Sequence, residues 1–178
     1  MKYRLLSVFA FFGLGFFLLT SFTQPKTEEV ESVKWYSFED AIELSKDNPK
    51  KIVVDVYATW CGPCKIMDKK VFGDPAVAKY LNENFYPVKF DGESKESVEF
   101  EGKEYTYLKN GRRGIHELAL ALTNGRPAYP TVIFMDEDHE VINRVTGVQP
   151  KDMFEKYLEY LNTDAYKSQD WFEYSGQN

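Results

Sequence analysis

The chain has 178 residues, 43% of them apolar and with 14 Phe and 12 Tyr, which is material for one domain around a buried core. Its 28 acidic side chains outnumber 22 basic ones, a formal charge of −6 that argues against a nucleic acid or an anionic membrane surface as partner. It has two cysteines, Cys61 and Cys64, in the stretch "YATWCGPCKIMDKK".

Lys2 and Arg4 precede an uncharged run rich in Phe and Leu from Leu5 to Leu19, the layout of an export signal. The run is short for a spanning helix of about 20 residues. The uncharged stretch continues through Pro25, so an uncleaved anchor is the alternative to cleavage. Ser21 and Thr23 stand at the small-residue positions before a cut at Gln24, and the segment has no cysteine to carry a lipoprotein anchor. Cleavage removes Lys2 and Arg4 and leaves 20 basic against 28 acidic side chains, which strengthens the case against polyanionic partners. The expected location is the periplasm or another extracytoplasmic space, where a dithiol is oxidised unless something keeps it reduced.

Residues 24–33, "QPKTEEVESV", are polar and predict a flexible linker outside the core. In "YSFEDAIELSKDNPKK", Ser37 precedes Asp40 by three residues and Phe38, Ala41, Ile42 and Leu44 share one face, which predicts a helix ended by Asn48 and Pro49. "KIVVDVYA" is β-branched and almost wholly apolar, as a central strand buried on both faces would be, with Asp55 as its anomaly. "KIMDKKVF" carries helical spacing to Gly73, and Asp74 and Pro75 cap and open the next helix.

"FYPVKFD" reads as a second strand, and "VEFEGKEYTYL" alternates about Glu101, Gly102 and Lys103 as a hairpin inserted into a β/α pattern. The hairpin is expected to choose the partner rather than to support stability. "GIHELALALTNG" places Ile115, Leu118, Ala119 and Leu122 on one helical face. "YPTVIFMDEDHEVINRVTG" predicts two antiparallel strands around an acidic turn, and Pro150 opens a final helix with Met153, Phe154, Tyr157, Leu158 and Leu161 inward. The aromatic residues of the tail, 163–178, are expected to pack on the domain.

Three readings compete for the cysteine pair. A staple closing a four-residue loop would restrict the unfolded chain by only about 2 kcal/mol. A metal site lacks ligands, because His116 and His139 are separated by 22 intervening residues and form no close second pair. As a reagent the pair makes physical sense. A buried strand delivers Cys61 to the start of a helix, where unpaired amides and the helix dipole favour a thiolate. Pro63 suits a first turn that needs no amide donor, and Gly62 lets another backbone approach the sulfur. His116 reads as a helix-packing residue and His139 as a solvated one.

"WCGPCK" after a hydrophobic strand, with "YPT" leading a later one, resembles the thioredoxin family, and the export pattern resembles its exported bacterial members. The resemblance covers about residues 52–161. It implies an α/β thioredoxin fold, a central mixed β-sheet flanked by helices, here with a β-hairpin insertion, over residues 34–162. It further implies that Cys61 is the nucleophile and Cys64 the resolving thiol, with Trp60, Gly62 and Pro63 flanking the exchange. Asp55 matches the family's buried acid that takes the proton of the resolving cysteine, and Lys89 the lysine paired with it; an Asp at a wet strand end is the plainer alternative. Pro130 matches the family's cis-proline facing the cysteines, against an ordinary strand-leading proline, and Tyr129 the neighbour that grips substrate backbone.

The function so implied is exchange of disulfides with protein clients, in the reducing direction that a Gly-Pro dipeptide suggests, with no metal, nucleotide or flavin. A membrane thiol relay would recharge it, and a monomer is expected. The rival is a non-catalytic binding or chaperone module that keeps the fold for its surface.

Overall fold

The computed structural model describes residues 31–110 and 112–176. The expected signal or anchor, 1–23, and the first part of the expected linker lie outside the described residues. Among those described, no helix is long and apolar enough to cross a membrane. Val33, at the end of the linker segment, packs against the core rather than standing free of it.

A four-stranded sheet organises the molecule. Its order is β2 (Tyr86–Asp91), β1 (Ile52–Tyr57), β7 (Thr131–Met135), β8 (Val141–Thr146). β1 runs parallel to β2 and antiparallel to β7, and β7 is antiparallel to β8, so the sheet is mixed. An isolated parallel bridge joins Tyr36 to Val88 on β2.

The apolar run of β1 is explained by two cores, one on each face. Ile52, Val54 and Val56 join Tyr86, Val88, Phe90, Ile133 and Met135 beneath α1 (Phe38–Asp47) and α4 (Glu117–Leu122). Val53, between them, joins Val132 and Phe134 beneath α3 (Pro75–Asn84) and α5 (Lys151–Asn162). Strand side chains alternate faces, so only a strand covered on both sides needs apolar residues at every position. Asp55 falls on the face of Val53.

The caps read from the sequence form as hydrogen bonds. Ser37 Oγ accepts from Asp40 N at 3.0 Å, and Asp74 Oδ1 from Ala76 N at 2.9 Å, with Pro75 opening α3. Leu44, expected inward, is 40% exposed, and Ser45 is buried instead. The helix after the cysteines, α2 (Gly62–Met67), continues into a π-helical turn at Asp68–Phe72, which rotates Val71 and Phe72 into the core.

Residues 98–116 depart most from expectation. β3 (Val98–Phe100) and β4 (Lys103–Tyr105) form the expected hairpin, but Lys103 pairs with Phe100, leaving Glu101 and Gly102, both at positive φ, as the turn. This hairpin is not a mere excursion. Val98 and Phe100 are buried in the core, and Phe100 meets Phe38 edge-on at 5.1 Å. The expectation that it would not support stability is therefore corrected.

A second hairpin, β5 (Tyr107–Asn110) with β6 (Arg113–His116), takes Tyr107 and Leu108 from the arm of the expected hairpin and Gly114, Ile115 and His116 from the stretch that periodicity assigned to a helix. Ile115 pairs with Leu108 across it, and α4 begins only at Glu117. The tail returns to the domain: α6 (Trp171–Ser175) lays Trp171 4.5 Å from Tyr157, and Tyr160 Oη donates to Gln169 O at 2.6 Å.

Candidate active site

β1 ends at Tyr57, and one tight turn, closed by Cys61 N to Ala58 O at 2.9 Å, leads into α2. Cys61 is the N-cap of that helix, and its Sγ accepts from Cys64 N at 3.0 Å. The two cysteines are joined as a disulfide with Cα atoms 5.3 Å apart. Both are 2% exposed, so accessibility does not distinguish them. What separates them is position: Cys61 Sγ sits at the helix N-terminus and receives an amide hydrogen there, which favours a thiolate once the bond is reduced. Gly62 and Pro63 are exposed beside the sulfurs, and a Cβ on Gly62 would meet nothing within 4 Å.

Asp55 and Lys89 are register partners on the parallel strands β1 and β2. Asp55 is 1% exposed, so the wet strand end is not its environment. Lys89 Nζ donates to Asp55 Oδ2 at 2.5 Å and also to Asp68 Oδ1, on the turn below α2. Asp55 Oδ1 has no hydrogen-bond partner among the described residues. Burial pushes the Asp55 carboxyl up from its ordinary range; Lys89 pulls the other way, and Asp68 adds to the rise. Burial also opposes the charge of Lys89, but its two carboxylate partners outweigh this and hold its pKa above the usual value. The rings of Tyr57, Trp35 and Phe72 lie 4.9 to 5.4 Å from its ammonium.

The Tyr129–Pro130 peptide bond is cis, and Pro130 is buried at the head of β7. Tyr129 packs with Ala58 against Cys61 and Cys64. Its ring stands edge-on to Trp60 at 6.0 Å, and burial, then Glu93 and Asp91, push its phenol up to about 12, so it stays protonated. Trp60 is 49% exposed, an apolar ring open to solvent beside the disulfide.

Two neighbours of this site escaped the sequence reading. Gly92 leaves the space that Tyr129 fills, and the only hint was a glycine directly after a strand. The Arg113 guanidinium lies 4.1 Å from the Trp60 ring centre. No local pattern pointed to Arg113, which falls between the stretch read as a hairpin, ending at Leu108, and the one read as a helix, starting at Gly114.

The histidines stand apart from this chemistry. His116 is fully buried as the N-cap of α4: Nδ1 accepts from Leu118 N at 3.1 Å and Nε2 lies 3.0 Å from Glu96 O, which fixes the orientation of the ring. His139 is half-buried against Ser45 Oγ at 2.5 Å rather than solvated.

Residues 38–162 match the family described as "Thioredoxin-like domain". A thiol:disulfide interchange protein, DsbD, of Vibrio vulnificus is 36% identical over 74 residues, 40% of this chain and 12% of that one. An uncharacterized protein of Caenorhabditis elegans is 27% identical over 121 residues, 67% of this chain and 15% of that one. The chain thus spans less than a sixth of the length of either relative. A solution structure of a candidate disulphide-isomerase from Bacteroides thetaiotaomicron superposes with a TM-score of 0.52 at 28% identity, over 80% of this chain and 99% of that one.

Proposed function

The chain belongs to the thioredoxin family, and from that premise we propose that it is an exported thiol–disulfide oxidoreductase that reduces disulfides of protein clients outside the cytosol. The observation that carries the reading is the Cys61–Cys64 pair bonded at the N-terminus of α2, with the buried Asp55–Lys89 pair on the strands leading to it.

The dithiol form starts the reaction. The Cys61 thiolate attacks one sulfur of a client disulfide, a bond forms between them, and the client's other sulfur leaves as a thiolate and takes a proton. Cys64 then loses its proton to Asp55, whose burial raises its pKa and so makes the carboxylate a stronger base than an exposed one. The Cys64 thiolate attacks Cys61 Sγ, the mixed disulfide breaks, and the client leaves with two thiols. The pair ends as the disulfide, two electrons poorer. Trp60 and Tyr129 offer an apolar wall to the client, and the exposed Gly62–Pro63 turn leaves room for its backbone. No metal, nucleotide or flavin enters these steps.

Recharging requires a dithiol partner, for which a membrane-embedded thiol relay is the fitting class. The pattern at residues 1–23 supports export, and a monomer suffices for the chemistry.

The test is to trap the redox state of Cys61 and Cys64 in intact cells with and without candidate relays, and to measure the reduction potential of the purified protein. A reduced pair that depends on a relay, with a potential near about −270 mV, supports the reductant; a pair oxidised regardless, with a potential near about −120 mV, overturns it. Failure to reduce insulin would favour the binding module instead.

A further inference from the structure

A groove of about 790 Å³ opens beside Tyr129, between the second hairpin and the loop that follows α4. Leu108, Ile115, Leu120 and Pro127 supply its apolar lining, and Leu108 is 41% exposed. Lys109 and Arg113 line it too, and Glu93 is its one acidic residue. Tyr129 packs against the cysteine pair and also lines the groove, so the groove lies one side chain away from the redox site.

The charge here runs against that of the whole molecule. Between residues 106 and 130 the chain carries Lys109, Arg112, Arg113 and Arg126 against one acid, Glu117, in a protein whose formal charge is −6. The carboxylate of Glu117 is turned to Thr106, accepting from its N at 2.7 Å and its Oγ1 at 3.0 Å. Neither Lys109 nor Arg113 forms an ion pair among the described residues. Arg113 lays its guanidinium over Trp60. Such stacking fixes the plane of the group while its N–H donors stay available to a carboxylate.

We infer that this groove seats an acidic client segment, with an apolar side chain on Leu108 and Ile115 and a carboxylate on Arg113 and Lys109, beside the client cysteine that Cys61 attacks. The inference rests on the reductant reading above and names the class of client it acts on.

The test uses the protein in its dithiol form and three synthetic peptides, each with one cysteine activated as an uncharged pyridyl disulfide. One carries a Leu and two Glu near the cysteine, the second a Leu and two Lys, the third a Ser and two Glu. Cys61 attacks the peptide sulfur and thiopyridone leaves. Cys64 then closes the protein disulfide and frees the peptide thiol, so the protein dithiol is oxidised as the pyridyl disulfide is reduced. The measurement is the rate of thiopyridone release.

The acidic Leu peptide should react about tenfold faster than the basic one at low ionic strength, against the overall charge of the protein, and the ratio should fall toward one at about 0.5 M salt. Replacing Leu by Ser should slow the acidic peptide. The Lys109→Glu/Arg113→Glu double variant should invert the acidic-to-basic ratio, a readout that a general change in reactivity leaves in place. A ratio at or below one in the wild type, or one that the double variant leaves unchanged, overturns the groove while leaving the oxidoreductase standing. Absence of thiopyridone release from all three peptides would refute the reductant reading and the groove with it.

Discussion

Gly92 stands where the hydroxyl of Tyr129 needs room: a Cβ on Gly92 would lie 2.5 Å from Tyr129 Oη and 2.7 Å from its ring. The glycine cannot retreat, because its N donates to Tyr57 O and its carbonyl accepts from His116 N, each at 2.8 Å. Gly92→Ala must therefore displace the Tyr129 ring, which also packs against the cysteines and Trp60. The variant should fold with a loss of about 1–3 kcal/mol from overpacking, shift Trp60 fluorescence, and reduce insulin about tenfold more slowly. Wild-type rates on insulin would show that Tyr129 does not position clients.

Cys64→Ser should accumulate mixed disulfides between Cys61 and client proteins, visible on non-reducing gels and lost with dithiothreitol. Cys61 sits at the helix N-cap and Cys64 a turn further in, which argues for this order although both are equally buried. Trapping by Cys61→Ser instead would exchange the two roles.

The raised pKa of Asp55 makes a stability prediction with a definite sign. Below about pH 3.8, the ordinary carboxylate value, Asp55 is protonated in both states and costs nothing. Above it the unfolded chain releases the proton first, so the folded protein loses stability as pH rises until its own Asp55 ionises. Asp55→Asn removes this slope while keeping an acceptor for Lys89. Its urea midpoint should match the wild type in acid and exceed it at neutral pH, and release of the mixed disulfide should slow most near neutrality. Parallel stability curves would contradict the raised pKa, and an unchanged pH–rate profile would return Asp55 to a structural role.

Phe100→Ala should destabilise the domain by about 3 kcal/mol, the low end of the range for a core Phe, because the site lies at the rim of the core. The rate on a small disulfide should stay at the wild-type value wherever the variant is folded. A melting temperature equal to that of the wild type would restore the view that the first hairpin is dispensable.

The elements legible in the sequence share one property: their signals are local. Ser37 and Asp74 cap helices within three residues of themselves, β1 is marked by an unbroken β-branched run, and the Cys61-Gly62-Pro63-Cys64 turn carries its own helix start. Asp55 could be singled out because a carboxylate interrupts such a run, whereas Lys89, 34 positions later, is assigned to it only by the family resemblance. The helix pattern of Ile115, Leu118, Ala119 and Leu122 misled because Ile115 meets Leu108 across a hairpin, and three of the four suffice for α4.

What the chain alone determined was therefore the reagent and its immediate scaffold: two cysteines at a helix start, a buried acid on the preceding strand and a proline heading a later one. Tertiary structure decided what surrounds that reagent. The register of β1 with β2 sets Lys89 beside Asp55, the turn below α2 brings Asp68 to the same ammonium, and Gly92 opens the space for Tyr129. The second hairpin carries Arg113 onto Trp60, 53 positions earlier in the chain. These are contacts between residues far apart in sequence, fixed by how sheets and hairpins stack, and no local spacing encodes them.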